Sequence, residues 1–212
     1  MTSMDKSKID SIKTWLGSGA INIFGTPFAG KDTQGKALAK LFGAEFISGG
    51  HIFRSQEKLE HMQQHIDSGK LVPTADYLAT ILPYLSQPMF ANRPLILSSI
   101  GRWRGEEKAV MQALITSKHP VRAILLVTLD EKEIWQRWEN AKHIQDRGIR
   151  ADDHPEALKI RLEEYRDKTL PVIDFYRQKD LLIEVNGDQN PDVVTNEIID
   201  KLYAFLATNK NL

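Results

Sequence analysis

Lys31 stands in a stretch whose residue types suit the gripping of a polyphosphate: Gly25-Thr26-Pro27-Phe28-Ala29-Gly30-Lys31-Asp32-Thr33. Glycines let a backbone wrap an anion with its N–H groups pointing inward. A helix start adds positive partial charge, and a lysine at this spacing reaches the terminal phosphates. The flanks fit. The apolar run Ala20–Phe24 precedes the loop and the helix-like run Gln34–Leu41 follows it, giving strand, glycine loop and helix. A plain strand–helix turn with an exposed lysine is the bland alternative, and chance would rarely supply both spacing and flanks. The usual pattern puts Ser or Thr directly after the lysine. Here Asp32 takes that place and the hydroxyl comes one residue later, at Thr33.

Such a loop must sit at the end of a buried strand, and the chain holds five candidates. Short apolar runs recur at Ala20–Phe24, Glu45–Ile47, Leu95–Leu97, Val121–Val127 and Leu181–Val185. Longer charged, helix-like segments separate them, which predicts a parallel sheet with helices on both faces. Several runs are apolar throughout, as strands buried on both sides should be. Helices are expected at Ile52–His65, Glu106–Ser117, Lys132–Asn140, Pro155–Gln178 and Pro191–Ala207, with Pro171 kinking or dividing the long one. Ile9, Ile12, Trp15 and Leu16 recur at helical spacing, so a further helix over Asp5–Leu16 should pack on the core. The stretches Gly49–Arg93 and Ala141–Asp153 interrupt the alternation and read as mobile inserts on one sheet.

At 212 residues the chain suits one core domain with modest insertions. Its 28 basic and 28 acidic residues balance, so nothing draws it to nucleic acid or an anionic membrane. It has no cysteine, which excludes disulfides and cysteine-bound zinc. The polar N-terminus lacks a signal-peptide apolar stretch, and no run approaches the roughly 18–20 apolar residues of a membrane span. A soluble, monomeric, cytoplasmic protein is the expectation.

The series of motifs, in order, resembles the adenylate kinase family of nucleoside monophosphate kinases. The loop has Gly-Lys-Asp-Thr where that family has Gly-Lys-Gly-Thr. The segment Phe46–Arg54 resembles the family's Ile-Ser-Thr-Gly-Asp-Leu-Leu-Arg, and Asp67–Pro73 its Asp-x-Gly-x-Leu-Val-Pro. Arg150-Ala151-Asp152-Asp153, followed by Arg161 and Tyr165, resembles its Arg-x-Asp-Asp helix entry. The resemblance implies an N-terminal helical extension over 1–19 and a P-loop kinase domain over 20–212. That domain would carry a helical monophosphate-binding insert at about 49–90 and a short lid at about 139–152, which closes to exclude water.

It also implies roles. Gly25, Phe28, Ala29, Gly30, Lys31, Asp32, Thr33 and Arg137 would hold ATP. Gly49, Arg54, Lys70, Val72, Arg102 and Glu106 would hold the acceptor monophosphate. Lys31, Arg102, Arg137, Arg150 and Arg161 would carry catalysis, because phosphoryl transfer needs positioning and positive charge more than covalent help. Each arginine also has a plain reading as a solvated charge or helix ion pair. Arg104 or Arg147 could stand in for a lid arginine missing near Ala141.

The departures bear on substrate and metal. The family's Asp-Gly-Phe-Pro-Arg appears as Ser98-Ser99-Ile100-Gly101-Arg102, so the carboxylate that orients waters on Mg2+ is lost at Ser98. Asp32 could take over that duty with Thr33, since Mg2+ prefers oxygen ligands, or it could merely favour its helix start. Glu106 stands where a Gln usually reads adenine. An ionised Glu only accepts hydrogen bonds and would suit guanine, unless it serves the start of its helix. His51 reads as a surface or helix-start residue, His154 as a helix entry, and Trp103, Trp135 and Trp138 as packing residues. The expected reaction is ATP plus AMP giving two ADP, with Mg2+. GMP or a pyrimidine monophosphate is the alternative acceptor. A degenerate nucleotide-binding module with little turnover is a further reading, and a small-metabolite kinase another.

Overall fold

Five short runs pair into one sheet. The computed structural model describes residues 3–55, 60–144 and 154–208. β1 (Ala20–Gly25), β2 (Glu45–Ser48), β3 (Leu95–Ser98), β4 (Val121–Thr128) and β5 (Leu182–Asn186) stand in the order β2-β3-β1-β4-β5. Every neighbouring pair is parallel. Parallel strands need crossovers, and helices supply them on both faces.

Alternate residues of each strand serve opposite faces. Ile21 and Ile23 of β1, with Leu125 and Val127 of β4, join Ile12, Leu38 and Ile198 in one core. These last come from α1 (Ser3–Leu16), α2 (Lys31–Phe42) and α10 (Pro191–Thr208). On the other face, Leu95 and Leu97 pack with α5 (Thr74–Leu85) and α6 (Glu106–Thr116). Phe24, Ile124 and Leu126 pack with α9 (Leu170–Arg177). The expected helix over Asp5–Leu16 is therefore present and packed on the core, beginning at Ser3.

The irregular stretches hold more helix than the sequence suggests. α3 (Gly49–Ser55) starts three residues before the expected Ile52, and α4 (Glu60–Asp67) follows beyond residues 56–59. α5 carries buried Tyr77, Ile81 and Leu85 at four-residue spacing. Pro83 lies within its last turn, where the lost amide and the ring are tolerated before the helix stops. α7 (Glu131–Ile144) runs four residues past the expected Asn140, and α8 (Pro155–Glu164) follows the undescribed segment. Pro171 does divide the long C-terminal helix. Between α8 and α9 the chain widens over Tyr165–Thr169, and the Leu170 amide bonds back to Tyr165 across five residues. The wider turn accommodates a proline that has no N–H and crowds the preceding carbonyl.

Among the described residues no helix is long and apolar enough to cross a membrane. All five strands point their C-terminal ends to one edge of the sheet, the edge where open α/β sheets bind ligands. The β1–α2 loop opens there. Gly25 ends β1 at φ +152°, and a Cβ placed on it would lie 2.3 Å from the Val127 carbonyl oxygen. Gly30 ends the loop at φ +85°, and a Cβ there would meet nothing within 4 Å. Gly25→Ala therefore carries both backbone strain and overpacking and should lose roughly 2–5 kcal/mol, whereas Gly30→Ala carries strain alone, about 1–2 kcal/mol. Urea melts of the two variants should rank them in that order; equal losses would mean that β1 and β4 do not need their close approach.

Candidate active site

The start of the helix after the loop has no side-chain cap. α2 begins at Lys31, and the residue before it, Gly30, offers no side chain to cap it. Its first-turn amides and the positive end of its dipole are left for an anion. They open on a cleft of about 430 Å³. Phe28, Gly30, Lys31, Asp32, Thr33 and Arg137 line this cleft. Gly49, Lys70, Val72, Arg102 and Glu106 line it too, with Arg161 of α8. Gly25 and Ala29 stay behind the loop, buried against the sheet. Arg54 falls in α3, but its side chain lies outside the described residues, as do Arg147 and Arg150. Arg104 is exposed and does not line the cleft.

Lys31 is the most perturbed group. Burial pushes its pKa down to about 7, against a raising influence from Asp32 and with Arg102 and Arg161 lowering it further. Its Nζ donates to the Thr26 carbonyl at 2.6 Å. Among the described residues Lys31, Lys70, Arg102, Arg137 and Arg161 all line this pocket. Arg137 donates through Nη2 to the Gly187 carbonyl at 2.8 Å and through Nη1 to the Phe28 carbonyl at 3.4 Å. It also pairs with Glu133 along α7 at 3.2 Å. It therefore braces the loop from outside as well as facing the cleft. Arg161 lies over the Phe28 ring, 5.6 Å from its centre.

The carboxylates sort differently. Asp32 accepts from the Ser98 hydroxyl at 2.6 Å and from the Ser48 hydroxyl at 3.4 Å. The carboxylate on α2 and the serine at the end of β3 thus occupy one spot. Among the described residues no group of three or more Asp, Glu or His side chains is arranged to hold a metal ion. The Asp32 carboxylate with the Ser48, Ser98 and Thr33 hydroxyls is an all-oxygen set, which suits Mg2+ held mainly through water and substrate phosphates. Glu106 is only 2% exposed. Its Oε2 accepts from the Arg102 and Trp103 amides, both at 3.0 Å, and its Oε1 from the Thr74 hydroxyl at 3.1 Å. Burial raises its pKa, and the Trp103 amide, Thr74 and Arg102 oppose that. Holding the main chain of Arg102 and Trp103, just before α6, is therefore its visible duty.

The remaining expectations divide cleanly. His51 is exposed in α3. His154 is a helix entry: its Nδ1 accepts from the Ala157 amide at 3.2 Å. Trp135 and Trp138 pack edge to face beside Leu158 and Leu162. Trp103 carries Lys168 over its ring at 3.8 Å. Sequence reasoning missed Ser48, Phe53, Tyr77 and Asn22. Asn22 carried a signal, a polar residue inside an otherwise apolar run. Tyr77 carried its four-residue spacing with Ile81 and Leu85.

A family model described as Adenylate kinase matches residues 23–181. The chain belongs to the adenylate kinase family. It is a P-loop phosphotransferase. An adenylate kinase of Cyanothece sp. is 32% identical over 181 residues, covering 83% of this chain and 91% of that protein. One from Azobacteroides pseudotrichonymphae is 30% identical over 191 residues, covering 86% and 96%. Among solved structures, a gluconokinase from Sinorhizobium meliloti superposes with a TM-score of 0.61 at 20% identity, covering 91% of this chain and 95% of that one. That likeness shows the fold alone.

In this family member Lys31 is held against its own preference. A lysine whose folded pKa lies below the unfolded value of about 10.4 costs stability fully below pH 7, and the cost fades as pH rises towards the unfolded value. Lys31→Met should therefore melt no lower than the native chain at pH 7, with its advantage shrinking by pH 10, while phosphoryl transfer falls roughly 100- to 1,000-fold. Thermal melts across pH beside a turnover assay check both halves; a variant that melts lower at pH 7 would show that Lys31 stabilises the loop instead.

Proposed function

We propose that the chain transfers the γ-phosphoryl group of ATP to a nucleoside monophosphate, AMP being the acceptor that its similarity to adenylate kinases suggests. One observation carries the reading: a single cleft joins the phosphate loop and Lys31 to Arg102 and Arg161, with a separate wall of α3–α5 residues beside Arg102. A donor phosphate chain on the loop and a second phosphate on Arg102 would make use of both groups of residues.

The roles follow from placement. The α2 amides and Lys31 bind the donor's phosphates and meet the charge that builds up on the transferred group. Arg102 holds the acceptor phosphate with a planar fork. Arg161, reaching the same cleft, draws the two together. Helices α3–α5 serve as the acceptor-side insert, with the Phe53 and Tyr77 rings stacked 5.3 Å apart in its wall. The turn around Gly69 brings that insert to α8, since a Cβ on Gly69 would lie 2.6 Å from the Ala157 carbonyl. The lid expected at about 139–152 lies, beyond Ile144, outside the described residues. Asp32, with Thr33, would hold Mg2+, which neutralises phosphate charge when bound.

A panel of AMP, GMP, CMP and UMP with ATP and Mg2+ should give diphosphate from at least one, and Arg161→Ala should lower that turnover roughly 100-fold or more. ATP binding without diphosphate from any acceptor would replace the kinase with a nucleotide-binding module. For the metal side, Asp32→Asn should narrow the ratio of ATP affinities measured with Mg2+ and with EDTA, because an anionic side chain no longer opposes the bare phosphates. An unchanged ratio would leave Asp32 as a helix-start residue only.

A further inference from the structure

The segment that carries Arg102 has no regular structure, yet it is buried. Ile100 is fully buried and Gly101 is buried at φ +74°. Buried irregular backbone must find partners for its polar groups or lose stability. Here they are found one by one. The Ser99 amide bonds to the Ile23 carbonyl at 2.9 Å. The Ile100 amide donates to Asn22 Oδ1 at 3.3 Å, and the Asn22 amide returns a bond of 2.7 Å to the Ile100 carbonyl. The Gly101 amide donates to the Tyr77 hydroxyl at 2.7 Å. The Arg102 and Trp103 amides share Glu106 Oε2.

Three buried side chains from three elements therefore hold four consecutive residues. Asn22 comes from β1, Tyr77 from α5 and Glu106 from α6. None is a default choice for its site. Asn22 interrupts a strand of apolar residues and is 1% exposed; Glu106 buries a carboxylate; Tyr77 spends its hydroxyl on a main-chain amide. A proline in place of Gly101 would present no amide for Tyr77 to accept, and the φ of +74° excludes proline here. The phenol and the amide therefore belong together.

We propose that Asn22, Tyr77 and Glu106 are positioning residues for Arg102, fixing where its guanidinium meets the acceptor phosphate. This rests on the kinase reading above, in which Arg102 grips the acceptor. Tyr77 is the informative member, because it belongs to the acceptor-side wall: its ring stacks on Phe53 while its hydroxyl holds the Arg102 segment. One side chain thus ties the wall that receives the acceptor to the residue that grips it.

The test is a double-mutant cycle on monophosphate binding, measured by calorimetry with AMP and GMP and needing no turnover. Tyr77→Phe keeps the stacked ring and removes only the hydroxyl. It should weaken monophosphate binding about tenfold and leave ATP binding within twofold. In an Arg102→Ala background the same change should cost nothing, because Tyr77 acts through Arg102. Glu106→Gln, which replaces one carboxylate oxygen by a donor, should behave the same way to a lesser extent. Equal losses of ATP and monophosphate affinity, or a tenfold loss that persists without Arg102, would overturn the proposal by showing a general structural role. Unchanged monophosphate affinity in a Tyr77→Phe variant that melts normally would overturn it too. If the native chain binds neither monophosphate, it is the AMP or GMP acceptor reading that fails, and the positioning claim falls with it.

Discussion

Like charges crowd the centre of this molecule. Lys31, Arg102 and Arg161 face one cleft: burial depresses the lysine most, Asp32 opposes that, and the two guanidiniums depress it a little further. No folding requirement asks for this. Cations left to themselves turn to solvent, and long flexible side chains find that easy. The rest of the structure can be understood as what prevents it: β1 and β4 close tightly under the loop, Arg137 braces the loop from α7, and a frame of buried polar side chains holds the Arg102 segment. A polyanion entering the cleft turns this mutual repulsion into shared attraction, and transfer between two phosphates puts the greatest demand at the point where the cations converge.

The same economy explains the two carboxylates at the rim. Asp32 stands next to the loop lysine, and the Ser98 hydroxyl donates to it. The family places its carboxylate at the position of Ser98, on the other side of this hydrogen bond. Here the carboxylate beside that strand end belongs to Asp32 at the start of α2. Glu106 went the other way. Where a base-reading amide is expected, both carboxylate oxygens are turned to Thr74 and to the main chain. The stacked Phe53 and Tyr77 rings line the same cleft.

Much of the fold was legible because its signals are local. All five apolar runs became strands, since a strand buried on both faces cannot hide its composition. Pro171 divided its helix as a missing amide requires. The resemblance implies a helical insert over about 49–90 without bounding its helices; α5 begins after Pro73 and ends at Leu85, just after Pro83. α7 was cut short at Asn140 because polar residues on its far side carry no period to count. The continuation to Ile144 is set by the backbone, not by apolar spacing.

What the sequence determined alone was the phosphate loop and the sheet beneath it, since nine consecutive residues and their flanks contain the whole device and its geometry follows from glycine, helix start and strand end. Only the tertiary structure decided which distant residues serve that loop. Asn22 and Ile100 are 78 positions apart, Tyr77 and Gly101 are 24, and Ser98 and Asp32 are 66. No periodicity links such pairs. They meet because parallel strands bring their C-terminal ends to one edge, and a polar side chain there takes its meaning from the partner that the crossover delivers.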